Sequence, residues 1–467
     1  MDSTPVVRAG TPPDAAPYLP VAIVGAGACG LTAALMLADA GVECLLLERD
    51  ASPSGSTALS SGFIPAAGTR VQQRHGITDS PAQFARDIQA KAHGTAAPDL
   101  VQAYAIAIGP ALDALEQRHG IAFELLEGFL YPGHSALRMH AVAGKTGAAL
   151  MAGLLNAAQA AGIAVLTQAL VQELWIAGDR VTGLGYQRPD GSMERLRCDA
   201  VLLACNGFGG NRELVRELLP EMADATFAGH GGNDGSAIAW GRALGARLAD
   251  LGGYQGHGSW AVPHCVLVSW ALMMEGAVQV NGEGRRFHDE TQGYSEAAVQ
   301  VLAQPGGIAW NVFDQSLLEF ARGFPDFREA EAAGAVRHAA GIPALAALIG
   351  CDAATLSATL AAVQPDALAA DGRRFQRALQ APYSAVKVTG ALFHTQGGLD
   401  IDAGCRVLQQ DGTPWPNLLA AGGAARGVSG NAVWGYLSGN GLLSAVAGGA
   451  IAARTIALSL KHLQDPP

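Results

Sequence analysis

Short apolar runs closed by glycines organise the front of the chain. Val21-Ala22-Ile23-Val24 predicts a strand buried on both faces. The alanine- and leucine-rich stretch that follows to Ala40 predicts a helix ended by Gly41, and Cys44-Leu45-Leu46-Leu47 predicts a second buried strand closing on Glu48. Further on, Ala161–Leu174 and Val181–Tyr186 predict strands, and Asp199–Gly210 predicts a buried strand running out into glycines. A helix is predicted over about 233–248, ahead of Leu251-Gly252-Gly253-Tyr254-Gln255-Gly256-His257. From 262 to 385 the pattern changes to alanine-rich helices punctuated by Pro263, Pro305, Pro325 and Pro343, which predicts an inserted domain. Glycine-rich character returns at 389–401. Leu418–Gly423 then predicts a strand running into a turn, and Gly439–Gly449 the opening of a last helix. Residues 1–19, proline-rich and without an apolar core, predict a flexible N-terminal arm. The expected division is 20–261 and 386–467 for the first domain and 262–385 for a capping domain.

Composition narrows the class. A chain of 467 residues allows two or three domains of ~150 residues each. Apolar residues make up 49% and charged residues 15%, against ~25% charged in typical soluble proteins, which excludes disorder. The net charge of −11 offers no basic face for nucleic acid. Seven cysteines without a CxxC pair suggest neither a disulfide framework, a zinc site nor attached haem. No secretory signal is evident, and apolar runs such as Cys265–Met274 fall short of the ~18 residues that cross a bilayer. A cytoplasmic protein with no transmembrane segment and no metal is expected.

Gly25-Ala26-Gly27-Ala28-Cys29-Gly30 sits between the first predicted strand and helix, and Glu48 follows about 20 residues on, as in a dinucleotide-binding βαβ unit. Gly25 serves the turn, Gly27 the approach to a pyrophosphate and Gly30 the packing of helix on sheet, while Glu48 would accept from a ribose diol. Ser54–Phe63 then collects small hydroxyl residues and glycines in one loop.

With that loop, worded Ser56-Thr57-Ala58-Leu59-Ser60-Ser61-Gly62, the chain resembles the flavoproteins related to fumarate reductase and 3-ketosteroid dehydrogenase, which place such a loop beside the flavin. The resemblance implies an α/β fold: a Rossmann-like FAD-binding domain carrying GxGxxG, with an inserted α+β substrate or capping domain. It implies FAD contacts from Gly25, Ala26, Gly27, Ala28, Cys29 and Gly30, then from Glu48 and Arg49. Further contacts are implied from Ser56, Thr57, Ala58, Ser61 and Gly62, and from Ala169, Ala204 and Gly207. At the end of the chain they come from Gly423, Gly439, Asn440, Leu442 and Leu443. The loop holds no histidine, so the flavin is expected to be non-covalent. Cys205-Asn206 departs from the Thr-Gly of the family's ATGGF segment.

The same family suggests the chemistry. Its fumarate reductases carry a catalytic arginine after an RFxNE motif. Here the run reads Arg286-Phe287-His288-Asp289-Glu290, and the arginine position holds Tyr294. The spacing Glu290…Tyr294…Glu296 is similar to the NExxxYxE run that bears the ketosteroid dehydrogenases' catalytic tyrosine. A free tyrosine, of pKa about 10, needs help to act as a base at neutral pH. His257 resembles the histidine of a QxHP motif with Gly258 in place of proline, and His394 that of HTMGG. The arginine of an NRxGGN segment is missing from Gly430–Asn440, which offers Trp434 and Tyr436 instead. Tyr436, with the N–H of Gly439 or Gly441, could polarise a ketone. Arg426 is the cation nearest this segment, available to a substrate carboxylate or to an acidic neighbour.

The expected function is therefore FAD-dependent α,β-desaturation of a cyclic ketone, such as a cyclohexanone or an oxo-cyclohexanecarboxylate. Tyr294, Tyr436, His394, His257 and Arg426 are the candidate catalytic residues, and electrons pass to an external quinone or oxygen. The alternatives are a fumarate reductase-like enzyme of unsaturated carboxylic acids and a 3-ketosteroid dehydrogenase.

Overall fold

Residues 5–464 are described by the computed structural model. They form two compact units, one of residues up to 219 with 229–254 and 394 onward, the other of 220–228 and 255–393.

The first unit is built on a six-stranded sheet in the order Arg406–Leu408, Pro414–Ala420, Ala200–Leu203, Val21–Val24, Cys44–Leu47, Ala164–Leu166. All neighbours pair in parallel except the first two. Strands buried on both faces need continuous apolar runs, and Val21–Val24 and Ala200–Leu203 are buried at every position. Helix Ala28–Asp39 makes the crossover between Val21–Val24 and Cys44–Leu47, so the expected Rossmann-like unit is present. The terminal helix, Asn440–Gln464, packs on it so closely that a Cβ at Gly449 would lie 2.5 Å from the Cys29 carbonyl. By length and composition alone the terminal helix is long and apolar enough to cross a bilayer, although the expected apolar runs were shorter. Ser444, Arg454 and Ser459 interrupt its apolar run and hid it in the sequence. In this fold Leu443, Val446, Ala447, Ala453 and Ile456 are core positions.

Several local expectations are corrected. The N-terminal arm is not flexible over its described residues. Val6–Ala9 is an edge strand parallel to Leu170–Ala177, and the Leu19 N–H donates to the Arg197 carbonyl; residues 1–4 lie outside the described residues. The single strand expected over Ala161–Leu174 is two, Ala164–Leu166 and Leu170–Ala177, broken where Gln168 takes a positive φ of 53°. The Ser54–Phe63 loop contains a short helix, Gly55–Leu59. The helix expected over 233–248 is limited to Ser236–Leu244 by left-handed glycines, Gly235 and Gly245, at its two ends.

The second unit is a seven-stranded sheet flanked by short helices. Its central strand Tyr383–Thr395 pairs with Ile308–Asp314, Val336–Ala339 and Thr226–Phe227. The expected boundaries of 262 and 385 are therefore displaced: they would cut the strands Tyr254–Ala261 and Tyr383–Thr395 away from their ladder, and they omit Pro220–Ala228. Its apolar core gathers Val278, Val312, Phe313, Phe327, Val386 and their neighbours.

Candidate active site

In the first unit the strand–turn–helix glycines have three separable jobs. Gly25 has φ of +106°, and a Cβ there would stand 2.6 Å from the Ala204 carbonyl oxygen. A Cβ at Gly30 would stand 2.0 Å from the carbonyl of Gly25, so only glycine lets the helix meet the turn. Gly27 differs, since a Cβ there meets only Thr57 Oγ1, at 3.6 Å. Its missing side chain serves no packing need within the chain and leaves a cradle at the helix start, as a pyrophosphate requires. Glu48, buried at the end of the second strand, accepts from the N–H groups of Ala26 and Asp50 at 3.0 Å each, which holds its carboxylate beside the turn. These features fit FAD.

The hydroxyl segment joins the same cradle. Thr57 Oγ1 accepts from the Ala28 N–H at 3.1 Å, and Ser56 Oγ accepts from the side-chain amides of Asn206 and Asn233. The departure at Cys205-Asn206 thus has a purpose: Asn206, at φ of 67°, grips the hydroxyl segment and accepts from the Gly207 N–H. A Cβ at Gly207 or Gly423 would collide with Thr395 Oγ1 or Asn206 Oδ1. Ala58 and Ala204 are half-buried, and Ala169 is buried with its N–H donated to the Glu48 carbonyl. Gly62 is buried against Thr146, whereas Ser61 points to solvent. Arg49 is ion-paired with Asp234 at 2.7 Å.

Two variants separate these roles. Gly27→Ala is expected to leave the apoprotein's melting temperature unchanged and to weaken FAD retention by roughly tenfold or more, read by flavin titration. Gly30→Ala is expected to destabilise the fold itself, because backbone must move.

The terminal helix begins where the remaining implied groups of the first unit converge. Gly439, at φ of 89°, packs on Pro65, Asn440 is fully buried, Leu443 is buried and Leu442 half-buried. The His394 ring lies against Gly441, whose absent Cβ would come within 2.8 Å of it, and meets the Tyr436 ring edge-on at 5.5 Å. Burial lowers His394 to a pKa of about 4, so it is neutral at pH 7. The carbonyl of Ser438 accepts from Nε2 of buried His134, whose Nδ1 faces Arg138. Arg138 is buried and paired with Asp79 and Asp87, an anchor for this loop rather than a substrate group. Arg426 is also committed: it donates to Asp250 at 2.8 Å and to Asp400 at 3.0 Å. Of its two expected roles, the structure shows the acidic-neighbour one.

In the second unit Tyr294 is the first residue of helix Tyr294–Leu302, entered through Gly293 at φ of 144°. Its ring stacks on buried His257 at 4.9 Å with 19° between planes. His257 Nδ1 accepts from the Ser259 N–H, which leaves its proton on Nε2, and burial lowers its pKa to about 3. Gly258, in place of the related proline, lets this helix settle on the strand, since a Cβ would meet Ala297 at 2.6 Å.

Glu290 holds the approach to Tyr294. Fully buried, it accepts from Arg286 Nε at 3.0 Å and the Gln279 N–H at 2.9 Å, and pairs with Arg373 at 2.6 Å. Those arginines keep its carboxyl below the usual range despite burial. The sequence marked Glu290 only by spacing; Arg286 four residues earlier was the available signal, and Arg373 carried none.

Neutral burial of His257 and His394 has a pH consequence. Their folded pKa values lie below the unfolded ~6.5, so the unfolded state binds protons first and stability is lost as pH falls from 6.5 toward 4. The expected loss approaches ~1.4 kcal/mol per pH unit for each histidine, checked by melting curves in which His257→Gln flattens the slope.

A family model described as FAD binding domain matches residues 20–442. The chain belongs to the FAD binding domain family. Its cofactor is FAD, and it is an FAD-dependent oxidoreductase of the dehydrogenase or reductase type. It is 28% identical over 428 residues to NADH:fumarate oxidoreductase of Klebsiella pneumoniae, covering 89% of this chain and 46% of that protein, and so spans about half that relative's length. It is 26% identical over 567 aligned positions to 4-oxocyclohexanecarboxylate 2-dehydrogenase of Sinomonas cyclohexanicum, covering 96% of each. The open conformation of a flavocytochrome c3 fumarate reductase superposes with a TM-score of 0.80 at 26% identity, covering 95% of this chain and 78% of that one. Structures of 3-ketosteroid dehydrogenases share the fold.

Proposed function

We propose that this flavoprotein desaturates a cyclic ketone at its α,β bond, with a cyclohexanone or an oxo-cyclohexanecarboxylate as substrate class. The observation that carries the proposal is Tyr294, held at a helix start against a buried neutral histidine, in the position where the related reductases have arginine. A phenolate can remove the proton α to a ketone, and His257, with its proton on Nε2, offers a neutral neighbour that does not compete for that proton. Tyr436 and the N–H of Gly439 or Gly441 hold the oxygen as negative charge develops on it, and His394 donates to it as a neutral group. FAD, when bound, supplies the acceptor for the hydride from the β carbon. The two electrons then pass to an external acceptor such as a quinone or oxygen, in the cytoplasm, with FAD held non-covalently.

The competing role, reduction of an unsaturated carboxylic acid, is favoured by the similarity to fumarate reductases and by the two histidines. It needs a cation for the carboxylate, and Arg426 is already neutralised by two aspartates while Gly430–Asn440 contains no arginine. The support for a carboxylated ring is thus the 4-oxocyclohexanecarboxylate relative and not Arg426. A panel of cyclic ketones assayed with an artificial electron acceptor, against fumarate with a reduced dye, tests the proposal. Ketone-dependent dye reduction without fumarate turnover supports it, and the converse pattern overturns it.

A further inference from the structure

A chain of hydrogen bonds runs through the first unit from the start of the terminal helix to His394. Asn440 Nδ2 donates to Ser429 Oγ at 2.9 Å, Ser429 Oγ donates to Gln396 Oε1 at 2.9 Å, and Gln396 Nε2 donates to His394 Nδ1 at 3.1 Å. Asn440 and Ser429 are wholly buried and Gln396 nearly so. The main chain also fixes Gln396, through its N–H to the Gly253 carbonyl and its own carbonyl accepting from the Gly427 N–H, each at 2.7 Å. Gly427 makes room for this amide, since a Cβ there would stand 3.0 Å from Gln396 Oε1.

We infer that Gln396 is a positioning residue that holds neutral His394 with its proton on Nε2, making His394 a hydrogen-bond donor and not a proton acceptor. The inference deepens the role given to His394 above, and rests on that role only in calling its partner a substrate oxygen.

Direction along such a chain follows from its buried end. The reverse order would run from a His394 Nδ1–H through Gln396 and Ser429 to Asn440 Oδ1. The two orders differ in what they strand: the observed one leaves Asn440 Oδ1 buried without a partner, the reverse would leave both hydrogens of the Asn440 amide so. Buried N–H groups without a partner are rarer and costlier than under-satisfied carbonyl oxygens, which favours donation toward His394. The alternative acceptor for an Nδ1 proton, the Thr395 carbonyl, is more distant at 3.4 Å. Gly441 completes the arrangement: lacking a Cβ, it leaves room for the Cε1–Nε2 edge of the ring at the first turn of the terminal helix. Methionine, which the related HTMGG run carries at this position, has no N–H to give. In this chain the glutamine supplies it.

The test is the ring nitrogen NMR spectrum of the FAD-loaded protein labelled with 15N-histidine, with His394 assigned by its loss in His394→Gln. The expected spectrum shows a neutral ring protonated on Nε2. Gln396→Glu, close in shape but able only to accept when ionised, is expected to move the proton to Nδ1 and exchange the two nitrogen shifts. Wild-type protein with the proton on Nδ1 or divided evenly overturns the inference, and so does a Gln396→Glu protein whose His394 tautomer is unchanged. The wild-type spectrum decides by itself should that variant not fold. Because it is recorded without substrate, it stands or falls independently of the ketone assay.

Discussion

Tyr294→Phe is expected to lower ketone-dependent dye reduction by roughly 10²–10⁴-fold, the range for loss of a general base, with FAD content and melting temperature unchanged. The expectation follows from how much of the side chain the substitution keeps. The phenyl ring keeps the stack on His257, and the helix start is set by Gly293 and the Glu290 anchor. Removing the hydroxyl therefore takes away the proton acceptor and leaves the packing. Solvent exchange of the substrate's α proton, followed by NMR, should fall in parallel with turnover. A Tyr294→Phe enzyme that keeps full ketone activity would remove the phenol from the mechanism.

Glu290→Ala is expected to show the opposite signature, a loss of stability of about 3–5 kcal/mol, with activity lost because the protein unfolds more readily. Burying a carboxylate is costly, and here two arginines and a backbone N–H offset that cost. Without the carboxylate, Arg373 loses the anion it pairs with here, and Arg286 keeps Asp371 as its anionic partner, with the His288 carbonyl. The Trp270 indole also donates to the Glu290 carbonyl, so the segment leading to Tyr294 is tied at side chain and main chain together. Thermal melts of the two variants side by side distinguish them: one stable and inactive, the other unstable.

What could be read in advance divides along the range of the interactions involved. The βαβ unit was legible because its determinants are local: two fully buried strands must be apolar throughout, and Gly25 and Gly30 answer clashes with atoms a few residues away or on the neighbouring strand. Spacing from Glu290 singled out Tyr294 as a candidate, but its stack on His257 could not be read from that spacing. Edge pairing was not legible, since Val6–Ala9 becomes a strand only by meeting Leu170–Ala177, and nothing in VVRA names that partner. Arg426 shows the same limit for charge: a lone cation in a glycine-rich segment reads as a substrate anchor until Asp250 and Asp400 come beside it. The Gln396–Ser429–Asn440 chain joins three residues that are polar, scattered and individually unremarkable; only their burial gives them meaning.

The central claim is that this flavoprotein oxidises ketones through a tyrosine base. Its most direct test is anaerobic rapid mixing of the oxidised, FAD-loaded enzyme with 4-oxocyclohexanecarboxylate and with unsubstituted cyclohexanone. Loss of the flavin's yellow absorbance with at least one ketone, abolished in Tyr294→Phe, is the predicted result. Absorbance that persists with every cyclic ketone, while fumarate reoxidises the chemically reduced enzyme, would contradict it.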